Sequence, residues 1–185
     1  MLPRVSAVHS LVDLSLQKII ECSDEFIVNL PITQRVFLFE KLLEKKEIHK
    51  KTLLLLTQGE RSELFLPDSK RINFSKQKKL QDEAFHFIRT LFPQNIPIKF
   101  DFSSCYSLSF ELFENDSISK EDNLLVQAIS FRSCKRLSSL RFLLSFCKIA
   151  TINELDLSFC TSLPSEEVPT APLPFPNLIF VSIYS

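Results

Sequence analysis

Three ten-residue segments of the chain align without a gap: "FDFSSCYSLS" from Phe100, "ISFRSCKRLS" from Ile129 and "LDLSFCTSLP" from Leu155. Each runs apolar, polar, apolar, two mostly polar residues, cysteine, two polar residues and leucine, ending in a small polar residue or proline. A repeat of this kind constrains the fold more than any other feature, because each unit exposes an apolar face that only a neighbouring unit can bury. The step from the first copy to the second is slightly longer than the step from the second to the third. The opening alternation predicts a short strand with one buried face, and the cysteine and the following leucine turn the chain inward beneath it. After the second copy, "RLSSLRFLLSFCKIA" places Leu137, Leu140, Leu144 and Cys147 at helical spacing, which predicts a strand and a helix per unit.

A weaker copy is read at "LFLPDSKRIN" from Leu64, with Ser69 where cysteine would stand. "KQKKLQDEAFHFIRTLF" follows it as a helix with Leu80, Ala84, Phe87 and Leu91 on its apolar face. A final copy begins at Val181, as far beyond Leu155 as Leu155 is beyond Ile129, and the array reads as cut off one residue before its cysteine. The stretch "LPSEEVPTAPLPFP" holds five prolines, which predicts extended chain in place of a helix.

This pattern resembles the leucine-rich repeat of the cysteine-containing type, L-x-L-x-x-C-x-x-L, over roughly residues 60 to 185. Phe100 and Phe102 depart from it by replacing leucine, and the longer step implies an insertion. The resemblance implies an α/β fold, a short, ribonuclease-inhibitor-like leucine-rich-repeat solenoid of about four units at 59–185, with a helical module at 1–58. An ordinary α/β domain whose strands carry cysteine is the alternative that the residues leave open.

The helical module opens with "SLVDLSLQKII". At about 100° per residue, Leu11, Ser15 and Ile19 form one stripe and Val12, Leu16 and Ile20 the adjacent one. Leu14 widens the arc, leaving Asp13, Gln17 and Glu21 as a narrow polar strip. One small domain seldom needs so wide an apolar arc, so one stripe is available to a partner helix or groove. The stripe resembles the elongin-binding box of ubiquitin-ligase substrate receptors, with Ser10, Leu11, Ser15 and Ile19 in its four positions. Downstream, "LPITQRVFLFEKLL" begins with Leu30 and Pro31, as a cullin-selecting box does, and sets Val36, Phe39, Leu42 and Leu43 along a helix. Gln34 and Thr33 depart from the residues that the two cullin preferences expect, so the choice of cullin stays open.

This order of elements is similar to that of zyg-type and PRAME-like receptors. The resemblance implies a non-catalytic adaptor that binds elongin C, with elongin B, and a cullin scaffold, and that captures a protein substrate on the repeats. The outward strand positions Asp101, Ser103, Ser130, Arg132, Asp156 and Ser158 form the expected capture surface. A repeat scaffold with no ligase role, and an F-box adaptor beginning at "LPITQRVFLFEKLL", are the alternatives.

Composition narrows the chemistry. The 22 basic and 22 acidic residues give no net charge to draw the chain to nucleic acid or an anionic membrane. Gly59 is the single glycine, which excludes phosphate-cradling loops built on several. His9, His49 and His86 are far apart, each without a second ligand at i+3 or i+4. The carboxylate pairs Glu121–Asp122 and Glu166–Glu167 lie in polar stretches. No catalytic constellation, cofactor or metal site is expected. Cys22, Cys105, Cys134, Cys147 and Cys160 are odd in number and lack a CxxC pair, which suits reduced, packed thiols in the cytosol or nucleus. No leader and no apolar run approaching the ~20 residues of a membrane span is read.

Overall fold

The computed structural model describes residues 31–57, 71–109, 124–164 and 175–183, together with Leu14 and Lys18, both helical and exposed. The elements are α1 (Ile32–Lys45), α2 (Lys50–Thr57), β1 (Arg71–Asn73), α3 (Ala84–Leu91), β2 (Ile98–Asp101), β3 (Val126–Ser130), α4 (Leu143–Phe146), a 3-10 turn at Ile149–Thr151, β4 (Glu154–Asp156) and β5 (Phe180–Ser182). The fold is α/β. Its five strands form one all-parallel sheet in the order β1-β2-β3-β4-β5, identical to their order in the chain.

The three aligned segments are adjacent and in register: Phe100 pairs with Ile129, Ile129 with Leu155, and Leu155 with Val181. Ile98 faces Val126 while Lys99 faces Ala128, so Gln127 bulges out as one of the extra residues of the longer step. At the other edge Ile72 pairs with Phe100, so the first unit is "INFSKQKKL". The sequence reading that began this copy at Leu64 is therefore in the wrong register. Most of that segment, residues 64–70, lies outside the described residues. Gln77, not Ser69, occupies the cysteine position.

The units of β1 to β4 turn in a similar way after their strands. Asn73, Asp101 and Asp156 each accept the backbone N–H two residues on, at 2.8 to 3.0 Å, an Asx turn that ends the strand. Beyond each of these strands, and beyond β3, comes a left-handed residue in a tight turn. Lys76, Ser104, Ser133 and Phe159 have φ of 60–62°, a region that costs any residue but glycine about 1 kcal/mol or more. The turns then close through Cys105 N–H to Phe102, Cys134 N–H to Phe131 and Cys160 N–H to Leu157, at 2.9 to 3.2 Å.

Each thiol also reaches backward. Cys105 Sγ donates to the Phe74 carbonyl at 3.0 Å, Cys134 Sγ to Phe102 at 3.1 Å and Cys160 Sγ to Phe131 at 3.1 Å. Cysteine suits the site because it is small and apolar yet donates weakly to a carbonyl that the core would otherwise strand. The first unit has no preceding strand among the described residues. There the longer Gln77, fully buried, takes Ile48 N–H at 3.1 Å and donates to the Leu43 carbonyl at 3.2 Å, tying the sheet to the α1–α2 connection.

One hydrophobic core runs through both parts, from Leu38, Phe39, Leu42, Ile48, Leu53 and Leu56 of the helices to Leu155 and Leu157 of β4 and its turn. Its spine is aromatic: Phe74 stacks on Phe102 at 5.1 Å and Phe102 on Phe131 at 5.5 Å, with ring planes within 8°. From α3, Phe85 packs on Phe102 at 4.7 Å and on Phe146 at 5.1 Å.

Two helix expectations need correction. The buried face of α3 is Ala84, Phe85, Ile88 and Leu91, whereas Phe87 is only partly buried. Turns occupy the chain up to Glu83, so Leu80 is buried from a turn and the helical spacing does not extend back to it. After β3 the helix is the single turn α4. Leu143 is buried while Leu144 is 52% exposed, because the helical spacing assumed across Leu137–Cys147 holds for four residues only. The proline-rich expectation falls mostly on residues 165–174, outside the described residues.

Candidate functional site

Strand alternation sends Ile72, Phe100, Ile129 and Leu155 into the core and their neighbours onto the opposite face of the sheet. On that face lie Arg71, Lys99 and Asp101, then Ala128 and Ser130, then Glu154 and Asp156, and finally Phe180 and Ser182. Just beyond the strand ends, Ser103 and Arg132 continue the same columns. All of these but Ser182 line an open depression of about 390 Å³.

The face is cross-linked by its own polar groups. Asp101 Oδ2 receives Arg71 at 3.3 Å, and Asp101 Oδ1 receives the Ser103 hydroxyl at 2.5 Å. Ser103 Oγ lies 3.0 Å from Ser130 Oγ, which donates to Asp156 Oδ2 at 3.2 Å. Ser158 and Ser182 share a hydrogen bond of 2.8 Å. Lys99 reaches over Ala128 to Glu154 at 2.9 Å, two strands away, which the methyl side chain of Ala128 permits.

Five of the six expected capture residues, Asp101, Ser103, Ser130, Arg132 and Asp156, thus line one depression. Ser158 does not belong with them as a surface group. It is 1% exposed, because its hydroxyl is turned to Ser182 of the last strand. Arg71, Lys99, Glu154 and Phe180 were missed: they stand one residue before the apolar position at which each copy starts. Reading each copy one residue earlier would have found them.

Arg132 is exposed, and its guanidinium lies 5.3 Å above the ring of Phe159, itself 39% exposed. Arg71 and Lys99 have carboxylate partners on the face, whereas Arg132 pairs with none among the described residues. Asp156, the nearest acid in the ladder, offers its oxygens to Ser130 and to the backbone of Ser158.

Ser10, Leu11, Ser15, Ile19 and Leu30, and with them the apolar stripe of Val12, Leu16 and Ile20, lie outside the described residues. Pro31 is exposed and is the N-cap of α1, one residue before the helix, and its carbonyl accepts the N–H groups of Gln34 and Arg35 at 2.9 and 3.0 Å. Phe39 and Leu42 of α1 are buried, Val36 and Leu43 pack partly against the core, and Phe37 is 43% exposed.

The cysteines of the units are poor nucleophiles. Burial pushes the Cys105 thiol up to about 12 and the Cys160 thiol to about 11, and raises Cys134 and Cys147 further. His49 is lowered by burial and by the neighbouring Lys79. Among the described residues no three His, Cys, Asp or Glu side chains are grouped to hold a metal, and no helix is long and apolar enough to cross a membrane. Comparison with protein-family models, with curated proteins and with solved structures returns no match.

Proposed function

We propose that the chain is a non-catalytic leucine-rich-repeat adaptor, a short solenoid whose sheet face captures a protein and whose amino-terminal helices dock it on elongin C and a cullin. The observation that carries the capture reading is the sheet face itself. It gathers side chains from all five strands into one depression, and their mutual hydrogen bonds hold them in place before any partner arrives. Pre-ordering of this kind reduces the entropy lost on binding. The docking reading rests on the sequence: Ser10, Leu11, Ser15 and Ile19 at elongin-box spacing, then Leu30 and Pro31 ahead of a helix. Catalysis would be by proximity, the adaptor raising the effective concentration of a substrate lysine at a conjugating enzyme supplied by other subunits.

The test is binding of the purified chain to the elongin B and C heterodimer. Tight binding abolished by Leu11→Ala and by Ser15→Trp is the expected result. A folded chain that does not bind overturns the ligase reading. Gln77 favours what would then remain, a protein-binding scaffold: its bonds to Leu43 and Ile48 make α1 and α2 a cap on the first strand.

A further inference from the structure

We infer that the sheet face takes an extended peptide segment bearing a carboxylate, which pairs with Arg132, and an apolar side chain four or five residues away, which packs on Phe180. The inference rests on the capture half of the proposed function and is independent of the docking half.

Charge complementarity selects the carboxylate. Six charged residues line the depression, three cations and three acids. Arg71 is occupied by Asp101 and Lys99 by Glu154, which leaves a peptide no unsatisfied charge in the middle of the face. Asp156 already accepts from Ser130 and Ser158. Arg132 alone, among the described cations lining the depression, is exposed with no carboxylate partner. Its stacking on Phe159 limits the rotamers it would have to give up on binding. A planar guanidinium held in this way matches a carboxylate through two parallel hydrogen bonds, which a lysine could not do.

The apolar element comes from the opposite corner. Phe180 is 57% exposed and forms the β5 wall of the depression. It pairs with Glu154, which pairs with Ala128, so Phe180 is two strands across from Ala128, and Arg132 lies four residues beyond Ala128 along the chain. Two strand spacings and four residues of rise separate the two anchors by roughly 15 Å, the length of four or five residues of extended chain. Midway between them in the register stands Asp156 of β4, whose oxygens are already taken by Ser130 and Ser158.

The test is selection of a displayed library of random peptides, each about a dozen residues long so that it spans the face, on the full chain and on Arg132→Glu and Phe180→Ala. Both side chains are exposed, so each variant is first shown by circular dichroism to fold as the parent does. The parent is expected to enrich Asp or Glu four or five positions from an aromatic or aliphatic residue. Arg132→Glu is expected to weaken the selected peptides by about tenfold or more and to shift enrichment towards Lys and Arg. Phe180→Ala is expected to lose the apolar preference and keep the acidic one. Enrichment that ignores Arg132, or no enrichment on a folded chain, overturns the inference, as does a face found covered by a second copy in a dimer that Arg132→Glu dissociates. Elongin binding by the parent chain separates the two ideas: peptide selection that fails on a chain that binds elongin overturns this inference alone, and elongin binding that fails on a chain that selects these peptides overturns the docking reading alone.

Discussion

The side-chain amide of Gln77 donates to the carbonyl oxygen of Leu43 at 3.2 Å, across the boundary between the strands and the helical pair. The same side chain accepts Ile48 N–H, so one residue satisfies two backbone groups of the α1–α2 connection. Gln77→Leu keeps the volume but strands the Ile48 N–H and leaves the Leu43 carbonyl with the Lys46 N–H alone. It is expected to cost about 1–3 kcal/mol, measured as a lower urea midpoint. A loss under about 0.5 kcal/mol, the range of an ordinary surface change, would show that the amide is not what joins helices to sheet.

Asp82 makes the comparable link one unit on. It is buried, and its carboxylate accepts both the N–H and the hydroxyl of Ser109, at 2.9 and 2.7 Å. Asp82→Ala should destabilise by about 2–3 kcal/mol, because it leaves a buried donor pair without an acceptor, and Ser109→Ala by less, because the backbone bond survives. Equal losses from the two variants would contradict this account.

The repeated left-handed residue is a reserve of stability. Ser133 has φ 61° and Ser104 φ 60°, in a chain with a single glycine. Ser133→Gly removes the steric penalty at the expense of a more flexible unfolded chain, for a net gain of about 0.5–1 kcal/mol. Ser133→Val, β-branched at a positive φ, should lose more than that gain. Thermal melts of both variants check the pair, and a stabilising valine would refute the conformational argument.

The buried thiols make the fold sensitive to alkali. Cys105 keeps its proton to about pH 12 when folded, against an ordinary thiol when unfolded. Its contribution is therefore complete below the unfolded value near pH 9 and is lost as pH rises towards the folded one, with a slope of about 1.4 kcal/mol per pH unit. Cys105→Ala lowers stability at pH 7 and flattens the decline above pH 9. An alkaline slope unchanged in this variant would mean that the thiol titrates normally in the fold.

The register of units two to five was legible because the same signals recur in most copies: an apolar pair around one polar residue, a cysteine, and a leucine three further on. The first unit was not legible, since Gln77 replaces the cysteine that marks the others, for a reason visible only when Leu43 and Ile48 are beside it. Asp101, Ser130 and Asp156 could be placed on the outer face from alternation alone. The burial of Ser158 could not, because it depends on Ser182 of the next strand, a whole repeat unit further along the chain. The face of α3 was misassigned by carrying helical spacing back through turns that hold no glycine or proline to announce them. Arg132 was read from its position in the repeat, but its seat on Phe159 joins adjacent units and no single copy contains it.

Because the strands pair in the order in which they occur, each new pairing closes a loop of a single repeat unit, and none has to wait for a distant segment. Loop-closure entropy is therefore nearly the same at every step. A chain emerging from the ribosome can lay each strand on the last as soon as it is free, with the Phe74–Phe102–Phe131 stack assembled first. Its folding time should then grow by small equal increments with each added strand, and a mechanical pull on the β5 end should detach the strands one at a time in reverse order.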